Sequence, residues 1–434
     1  MSPITIFWHR RDLRIHDNAG LYHALKSNYP VLPVFIFDRN ILDKLEDKDD
    51  ARVSFIHQQL QELKKQYEQL GSTLHVFYGK PDEVWKEIIN TYSVKEVYCN
   101  RDYEPYAQQR DKSIFEFLAA QNIPFKGFKD HVIFEKNEVL KDDGKPYTVY
   151  TPYSKKWKSK LNDFYLKSYP TEKYLSNLYR TNTLRFISLE EMGFKPTTIS
   201  FPEKIAREEI IKNYHATRDL PAINGTTRLS VHLRFGTISI RELARKAKKL
   251  NEKYLNELIW RDFYQAILFH FHHTVNKAFK PEYDKIQWLN NEKEFQLWCQ
   301  GKTGYPIVDA GMRELNATGF MHNRVRMIVA SFLTKHLLID WRWGEAYFAK
   351  KLLDFELASN VGGWQWAAGC GVDAAPYFRV FNPALQTEKF DKDLKYIKQW
   401  VPEYGTSAYP KPIVDHKMAR ERVLNTYKKA LQNV

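Results

Sequence analysis

The sequence is poor in cysteine and in long apolar runs. It has three cysteines, Cys99, Cys299 and Cys370, and none of them forms a Cys-x-x-Cys pair. Neither a disulfide framework nor a cysteine-based zinc site is indicated, so we expect a protein of the reducing cytoplasm that holds no metal. No apolar stretch approaches the roughly 18 residues that a membrane-spanning helix needs, and we expect no membrane partner.

The sequence also lacks internal repeats, low-complexity tracts and a Gly-x-Gly-x-x-Gly motif after its first predicted strand. Because that motif is missing, a dinucleotide site at that strand is not supported. The chain has 434 residues, which is long enough for two or three domains with separate apolar cores.

Aromatic residues and positive charge are abundant. Phe, Trp and Tyr make up 15% of the chain, which suits a protein that binds a planar cofactor or stacks bases, although large aromatic cores also use them. Lys and Arg outnumber Asp and Glu by 66 to 52, a net charge of +14. Such a charge attracts polyanions, and nucleic acid is the first candidate. A basic background or an anionic membrane surface are the alternatives.

Residues 1–130 predict an α/β domain. Short apolar runs alternate there with helical stretches at 51–69 and 82–90, a rhythm typical of a parallel sheet covered by helices. The predicted strands are 4–8, 31–37, 73–78 and 96–99.

The rest of the chain shows no strand pattern. Residues 131–202 are polar and lack a sustained period, so we interpret them as an inter-domain linker, with Lys155-Lys156-Trp157-Lys158 on a solvated surface. Residues 203–434 predict an all-α domain, with Gly319 as a helix break. One buried helix face after that break is predicted from the spacing of Val325, Ile328, Val329, Phe332 and Leu333.

The most distinctive segment is residues 360–366, Asn-Val-Gly-Gly-Trp-Gln-Trp. It is followed by Asp-Ala-Ala-Pro-Tyr-Phe-Arg at 373–379 and Phe-Asn-Pro at 381–383. Glycine lets the backbone approach another group closely, and indole rings stack well on flat groups. Core packing would explain either tryptophan alone, but the whole motif is too long for that explanation.

Several segments together resemble the photolyase/cryptochrome family, in the family's own order along nearly the whole chain. They are residues 8–18 (Trp-His-Arg-Arg-Asp-Leu-Arg-Ile-His-Asp-Asn), 226–230 (Thr-Thr-Arg-Leu-Ser), 257–261 (Glu-Leu-Ile-Trp-Arg), 303–306 (Thr-Gly-Tyr-Pro), 321–327 (Met-His-Asn-Arg-Val-Arg-Met) and 360–366. The resemblance is greatest to the bacterial class I branch. It implies a Rossmann-like α/β antenna domain, a helical FAD-binding domain and light-driven repair of pyrimidine dimers in UV-damaged DNA, by a protein that we expect to be a monomer.

The resemblance implies a set of FAD-binding residues. These are Tyr214, Thr226, Thr227, Arg228, Leu229, Ser230, Arg326, Asp354, Glu356 and Asn360. Hydroxyls and an arginine where a loop enters a helix suit a pyrophosphate, although the same pattern would serve a simple helix N-cap. Asn360 falls where the family holds a side chain against flavin N5, and asparagine there points to repair rather than light sensing. Glu356 and Val361 depart from the family's Asp and Asn.

The resemblance also implies DNA contacts. The residues concerned are Arg218, Glu257, Trp260, Arg261, Asn323, Arg324, Met327, Trp366 and Arg379. Glu257, Trp260 and Arg261 share one helix face by their i, i+3, i+4 spacing. A carboxylate there could bind the edge of an extruded pyrimidine and an indole could stack on it, with Trp366 as the opposite wall.

A chain of tryptophans is implied as well. Trp364, Trp341 and Trp288 occupy the positions at which the family carries electrons from the surface to oxidised flavin. We count them with Asn360 and Glu257 as the catalytic residues, although each tryptophan would also serve in a core.

Two questions remain within the family: which lesion is repaired and which second chromophore is bound. Family members that repair (6-4) photoproducts use histidines as proton donors where this chain has Asn323 and Met327, so we predict cyclobutane dimers as the substrate. A photoreceptor that signals through a protein partner is the alternative. Residues 103–107 lack the Asn-Glu typical of folate-binding members, so a second chromophore could be a deazaflavin, another flavin or, against this pattern, a folate, and it could also be missing.

Overall fold

The computed structural model describes residues 2–432, which form two compact units. One unit contains the chain up to Glu135 together with Lys160–Ile205 and Leu229–Lys246. The other contains Lys136–Ser159, Ala206–Arg228 and the chain from Ala247 onward. The segment 131–202, which we predicted as a linker, is therefore divided between the two units.

The first unit is built on a parallel sheet, as predicted. The strands are β1 (Pro3–His9), β2 (Val31–Asp38), β3 (His75–Gly79), β4 (Ser93–Asn100) and β5 (Phe125–Phe128). Their order is β3-β2-β1-β4-β5, and every neighbouring pair is parallel. The two central strands, β1 and β2, are nearly continuous apolar runs, as is typical of parallel strands that helices cover on both faces. The fifth strand was missed because it is short and includes the exposed Lys126 and Gly127.

The helices that accompany the sheet follow the βαβ rhythm of the sequence. They are α1 (Ala19–Leu25), α2 (Arg39–Leu42), α3 (Ala51–Gln69), α4 (Pro81–Thr91) and α5 (Pro105–Ala119). Ile6, Trp8 and Val34 lie in the core that these helices bury against the sheet.

Arg14 and Asp17 of the motif at 8–18 belong to a buried polar network in this unit. Arg14 Nη2 lies 2.8 Å from Asp130, and Arg241 Nη2 also donates to Asp130, at 2.8 Å. Arg241 Nε donates to Asp17 at 2.9 Å. Burial alone would raise the pKa of Asp130, but the two guanidinium groups hold it well below its usual range. The charged part of the motif therefore has a structural role.

The chain beyond β5 is helical, which confirms the predicted fold class. The helices in chain order are α6 (Tyr150–Lys160), α7 (Asp163–Leu166), α8 (Glu208–Thr217), α9 (Ser230–Arg234), α10 (Ile240–Leu250), α11 (Glu252–His270), α12 (Glu292–Cys299), α13 (Pro306–Thr318), α14 (Asn323–Ser331), α15 (Trp341–Lys351), α16 (Leu357–Ala368), α17 (Pro383–Phe390), α18 (Lys395–Trp400) and α19 (His416–Gln432). Short 3₁₀ turns lie at Thr171–Asn177, His272–Val275 and Pro281–Lys285, and a π-helical turn at Phe332–His336.

The predicted buried face in the second unit is present. Val325, Ile328, Val329, Phe332 and Leu333 are all at most 1% exposed and belong to the largest core cluster. Gly319 ends α13 with a left-handed φ of 66°, a conformation that glycine adopts without strain.

Within the segment that we predicted as an inter-domain linker, the lysine-rich stretch differs from the expectation of a solvated surface. Trp157, expected on a solvated surface, is completely buried in α6, and its Nε1 donates to Asp262 at 3.0 Å. The flanking Lys156 and Lys158 form ion pairs with Asp142 and Glu252. The polar composition hid a helix that is anchored by one tryptophan. Among residues 2–432, no helix combines the length and apolarity needed to cross a bilayer.

Helix α16 lies unusually close to its neighbours. A Cβ atom on Gly362 would overlap the ring of Tyr264 in α11. Gly344 in α15 lies directly under the ring of Trp364, so a Cβ there would also overlap. Glycine is required at both positions because it removes the side chain at the point of contact.

This packing predicts opposite effects for two adjacent glycines in α16. Gly362→Ala forces Tyr264 to move and should destabilise the protein by about 1–3 kcal/mol. Gly363→Ala places its Cβ where no described atom lies within 4 Å, so it should be neutral or stabilising by about 0.5–1 kcal/mol. Thermal unfolding followed by circular dichroism would measure both. Equal destabilisation by the two variants would contradict the close-packing explanation.

Candidate functional site

Asn360 is held by a carboxylate that the sequence analysis missed. Its Nδ2 donates to Glu345 Oε1 at 2.8 Å and to the Glu345 carbonyl at 3.1 Å. Burial raises the pKa of the Glu345 carboxyl, and the bond from Asn360 partly opposes this shift. The amide of Asn360 is thereby fixed against α15, and its Oδ1 is the acceptor left for a ligand. No motif marks Glu345, because the pairing depends on how α15 packs against α16.

A charged pair lies at the start of the same helix. Arg261 Nη2 lies 3.0 Å from Glu356 Oε1, and both side chains are buried. Glu356 occupies the N-cap position of α16, one turn before Asn360. The greater reach of Glu, relative to the family's Asp, is used to contact Arg261. Arg261, which we predicted as a DNA contact, is thus buried against Glu356, and its contact with DNA stays a prediction.

Arg326 and Asp354, two of the predicted FAD-binding residues, form an ion pair. Arg326 Nη2 lies 3.0 Å from Asp354 Oδ2, and its Nε donates to the Met321 carbonyl at 2.8 Å. The carboxylate is 9% exposed and the guanidinium is 25% exposed. A half-buried arginine with two fixed donors is suited to a further anionic or carbonyl partner. Val361 is buried in the core and contributes packing only.

Residues 226–230 form a hydroxyl-rich segment at the start of α9. Among residues 2–432, no side-chain hydrogen bond caps α9, so simple N-capping does not explain this segment. Thr227 Oγ1 lies 2.8 Å from the Tyr254 hydroxyl, and the Tyr214 ring meets Tyr254 edge-on at 5.1 Å. Arg228 has a left-handed φ of 52° and its guanidinium lies 4.5 Å from the centre of the Phe320 ring. Leu229 is buried, whereas Ser230 is exposed and Thr226 is half-buried.

A buried histidine near these arginines lacks one partner. His322 is 4% exposed, and among residues 2–432 its Nε2 has no hydrogen-bond partner. Burial lowers its pKa to about 4, so the ring is neutral at pH 7. Its Nδ1 accepts from the Arg324 backbone N–H at 3.2 Å, which puts the proton on Nε2. A buried donor of this kind needs an acceptor. Such donors, hydroxyls and guanidinium groups are what a phosphate-bearing planar cofactor such as FAD requires.

The predicted base-contacting residues lie on α11. Arg218 Nη1 lies 2.5 Å from Glu257 Oε1, and Arg218 also covers the Tyr214 ring at 5.5 Å. Burial raises the pKa of the Glu257 carboxyl, and the Arg218 guanidinium opposes the shift. Trp260 is half-buried and stacks face to face on Tyr150, which the sequence analysis did not single out.

The remaining predicted DNA contacts lie at or near the surface. Arg324 Nη2 lies 2.7 Å from Asp219, and its guanidinium lies 4.3 Å from the centre of the Phe390 ring. Asn323 is exposed at the first residue of α14, and Met327 is half-buried one turn later. Arg379 is exposed in the segment after α16.

The middle residue of the Trp-Gln-Trp triplet is buried. The Gln365 side chain forms hydrogen bonds with three backbone groups between residues 274 and 279. This leaves Trp366 half-buried on another side of α16.

The three tryptophans of the predicted electron chain differ in surroundings. Trp364 and Trp341 are each 2% exposed, and Trp288 is half-buried. Among residues 2–432, the ring neighbours of Trp364 are Phe348 at 5.0 Å and Trp298 at 6.0 Å. Trp298 was missed by the sequence analysis because nothing in α12 marks it. The electron chain itself stays a prediction.

The end of α16 is held by a buried lysine. Lys335 Nζ donates to the carbonyls of Ala368 at 3.0 Å and Tyr377 at 3.3 Å. The Tyr427 hydroxyl also donates to the Ala368 carbonyl, at 2.9 Å. A cation at the C-terminal end of a helix interacts favourably with the helix dipole. Lys335 therefore joins α16 to the segment that carries Arg379.

Two family models match parts of this chain, and curated proteins are similar to nearly all of it. Residues 5–173 match the family model described as DNA photolyase, and residues 254–407 match the FAD binding domain of DNA photolyase. The deoxyribodipyrimidine photo-lyase of Synechococcus is 36% identical over 98% of this chain and 97% of its own, and that of Escherichia coli is 36% identical over 98% of each chain.

Solved structures agree as well. A class III photolyase from Agrobacterium tumefaciens superposes with a TM-score of 0.88 at 33% identity, covering 100% of this chain and 98% of its own. An archaeal photolyase from Sulfolobus tokodaii, solved with two FAD molecules, gives a TM-score of 0.82 at 36% identity over 98% and 99%.

Lys335 predicts a rise of stability with pH. Burial lowers its pKa to about 7, whereas an unfolded lysine keeps about 10.5. Between these values the unfolded chain binds a proton that the folded chain lacks, so raising the pH disfavours unfolding, by up to about 1.4 kcal/mol per pH unit. Thermal unfolding from pH 7 to 10 should show this slope in the wild type relative to Lys335→Met. Parallel pH profiles for the two proteins would contradict it.

Proposed function

The chain belongs to the DNA photolyase family, and from this membership we propose that its substrate is the cyclobutane pyrimidine dimer. It is an FAD enzyme, a deoxyribodipyrimidine photo-lyase, and it acts in the repair of UV-damaged DNA. The choice of the cyclobutane dimer over the (6-4) photoproduct is the part that needs separate support.

The residues at the start of α14 support the cyclobutane dimer. Asn323 is exposed at the first residue of this helix, and Met327 follows one turn later beside Arg324, whose Nη1 lies 3.7 Å from the Met327 sulfur. Neither side chain can act as a general acid near pH 7. Opening a cyclobutane ring needs an electron delivered and returned, with little proton transfer. A site with no acid at this place suits that reaction.

The residues that would hold FAD are those built around α16 and the hydroxyl-rich segment. Arg326, Arg228, Thr226 and Thr227 would bind its anionic and carbonyl groups, and Asn360 would present Oδ1 to the flavin ring while Glu345 holds its Nδ2. When bound and reduced, FAD supplies the light-driven electron that splits the dimer and that returns afterwards. The Nε2–H of His322 would offer the cofactor one further donor.

The DNA would be bound by charge and by flat rings. Arg218, Arg324 and Arg379 would contact phosphates around the lesion. Arg218 and Arg324 now pair with Glu257 and Asp219, so a phosphate would replace a carboxylate and release Glu257 for the edge of the extruded base. Trp260 and Trp366 would be the two walls that stack on the dimer.

Two further roles are proposed for aromatic groups. Trp364, Trp341 and Trp288 would relay electrons to the cofactor when it arrives oxidised. A second chromophore in the first unit would gather light, as the second FAD of the Sulfolobus tokodaii relative suggests. Repair with already reduced cofactor depends on neither of them.

The test of the proposed function is a repair assay with two lesions. FAD-loaded protein is reduced, mixed with an oligonucleotide carrying one thymine cyclobutane dimer and exposed to blue light, and the loss of dimer is followed by chromatography. We expect light-dependent restoration of thymines, no reaction in the dark and no repair of a matched (6-4) oligonucleotide. Asn360→Ala should slow repair, because it removes the side chain expected at the flavin ring. Repair of the (6-4) lesion, or none of the dimer, would refute the proposal.

Arg379 gives a separate prediction about DNA binding. This exposed arginine should contact a phosphate, so Arg379→Gln should weaken binding to damaged and undamaged duplex by the same factor. The slope of log K against log salt should fall by about one unit, since one counterion-releasing contact is lost. Arg379→Lys keeps the charge and should keep the slope. A loss confined to the damaged duplex would show that Arg379 reads the lesion itself.

A further inference from the structure

Tyr150 and Trp260 form an unusually regular ring pair. Their ring centres are 3.7 Å apart and their planes differ by 2°. Such a face-to-face contact resembles the stacking of a base on an aromatic side chain. Tyr150 is the first residue of α6, far from Trp260 in sequence, so tertiary structure alone brings the two rings together.

Tyr150 is fixed from several sides. Its hydroxyl donates to the Asn256 carbonyl at 3.0 Å. Burial, with the Glu257 carboxylate nearby, raises the pKa of the Tyr150 phenol, so this donor keeps its proton at neutral pH. Helix α6 is itself anchored by the buried Tyr153 and Trp157. The ring of Tyr150 therefore acts as a rigid backing.

The other neighbours of Trp260 fix its position much less. Phe263 meets the indole edge-on at 5.7 Å, and Tyr264 is tilted by 31° at 5.6 Å. Both lie on α11 itself, within one turn of Trp260. Among the described ring neighbours of Trp260, Tyr150 is the one that lies on another helix and stacks parallel to the indole. This contact can therefore fix the orientation of the indole plane.

We propose that Tyr150 is a positioning residue that holds Trp260 in the plane in which it stacks on the extruded pyrimidine dimer. The dimer then stacks on the exposed part of a half-buried indole whose orientation is already fixed. Such preorganisation raises the affinity for the dimer, because binding no longer has to order the ring. The inference rests on the proposed function, because it assigns Trp260 to the lesion.

Variants at this position test the inference in the FAD-loaded protein. Tyr150→Leu removes the ring, Tyr150→Phe keeps the ring and loses only the hydroxyl, and Val149→Ala is a matched control at an exposed neighbouring position. The measurements are Kd for a dimer-containing oligonucleotide and for its undamaged counterpart, thermal stability, and KM and kcat of repair.

We expect Tyr150→Leu to raise Kd and KM for the dimer about three- to tenfold, the range of one aromatic stack, with kcat and undamaged-DNA binding unchanged. Tyr150→Phe should bind the dimer within about twofold of the wild type, because it keeps the ring. If the hydroxyl were the important group, Tyr150→Phe would weaken binding as much as Tyr150→Leu does. Val149→Ala should match the wild type. If Tyr150→Leu does not fold, Tyr150→Met fills the space without a ring, and the same rise is expected.

Three results would overturn the inference. Unchanged dimer affinity in the variants without the ring would remove any positioning role. Tighter binding would show that Tyr150 occupies the place of the base and must leave. If wild-type protein does not prefer dimer-containing DNA, the proposed function fails, and this inference fails with it, whereas a normal wild type with an unaffected Leu variant overturns the inference alone.

Discussion

The close packing of α16 between α11 and α15 is the constraint on which the candidate site depends. Gly362 lets α16 approach Tyr264, and Gly344 gives the Trp364 ring its place. Only with the helices at this distance can Asn360 reach Glu345 and Glu356 reach Arg261. The polar pairs that orient the site therefore depend on the two glycines, which let the helices approach closely because they have no side chain.

Three predicted binding arginines lie on or at the end of helices that pack against α11 or α16. Arg218, Arg324 and Arg326 each lie against a carboxylate. A half-buried ion pair of this kind contributes modestly to stability, since desolvation offsets much of the attraction. Its greater effect is to hold a guanidinium group in one orientation before a phosphate or cofactor arrives. Binding then exchanges one anion for another and leaves the arginine where it was.

The sequence predicts the elements much better than the pairings. Helical and apolar periodicity located the first four strands and the buried stripe from Val325 to Leu333, because these patterns are local. The fifth strand was not predicted, because its four residues include Gly127 and are too few to show an apolar alternation. Trp157 was misplaced because the lysines around it dominate the local composition. Local pattern also could not show that Arg261 pairs with Glu356, 95 positions further along the chain.

Lys335 holds the C-terminal end of α16 in place, although its amine is buried. A buried ammonium group is costly, and its lowered pKa records that cost. Without it, the Tyr377 carbonyl would lose a donor and the Ala368 carbonyl would keep only the Tyr427 hydroxyl. These two carbonyls lie where the chain leaves α16 and begins the segment with Arg379. Lys335 therefore joins the end of α16 to the segment that contains Arg379, and the fold accepts the cost of burying its amine at this connection.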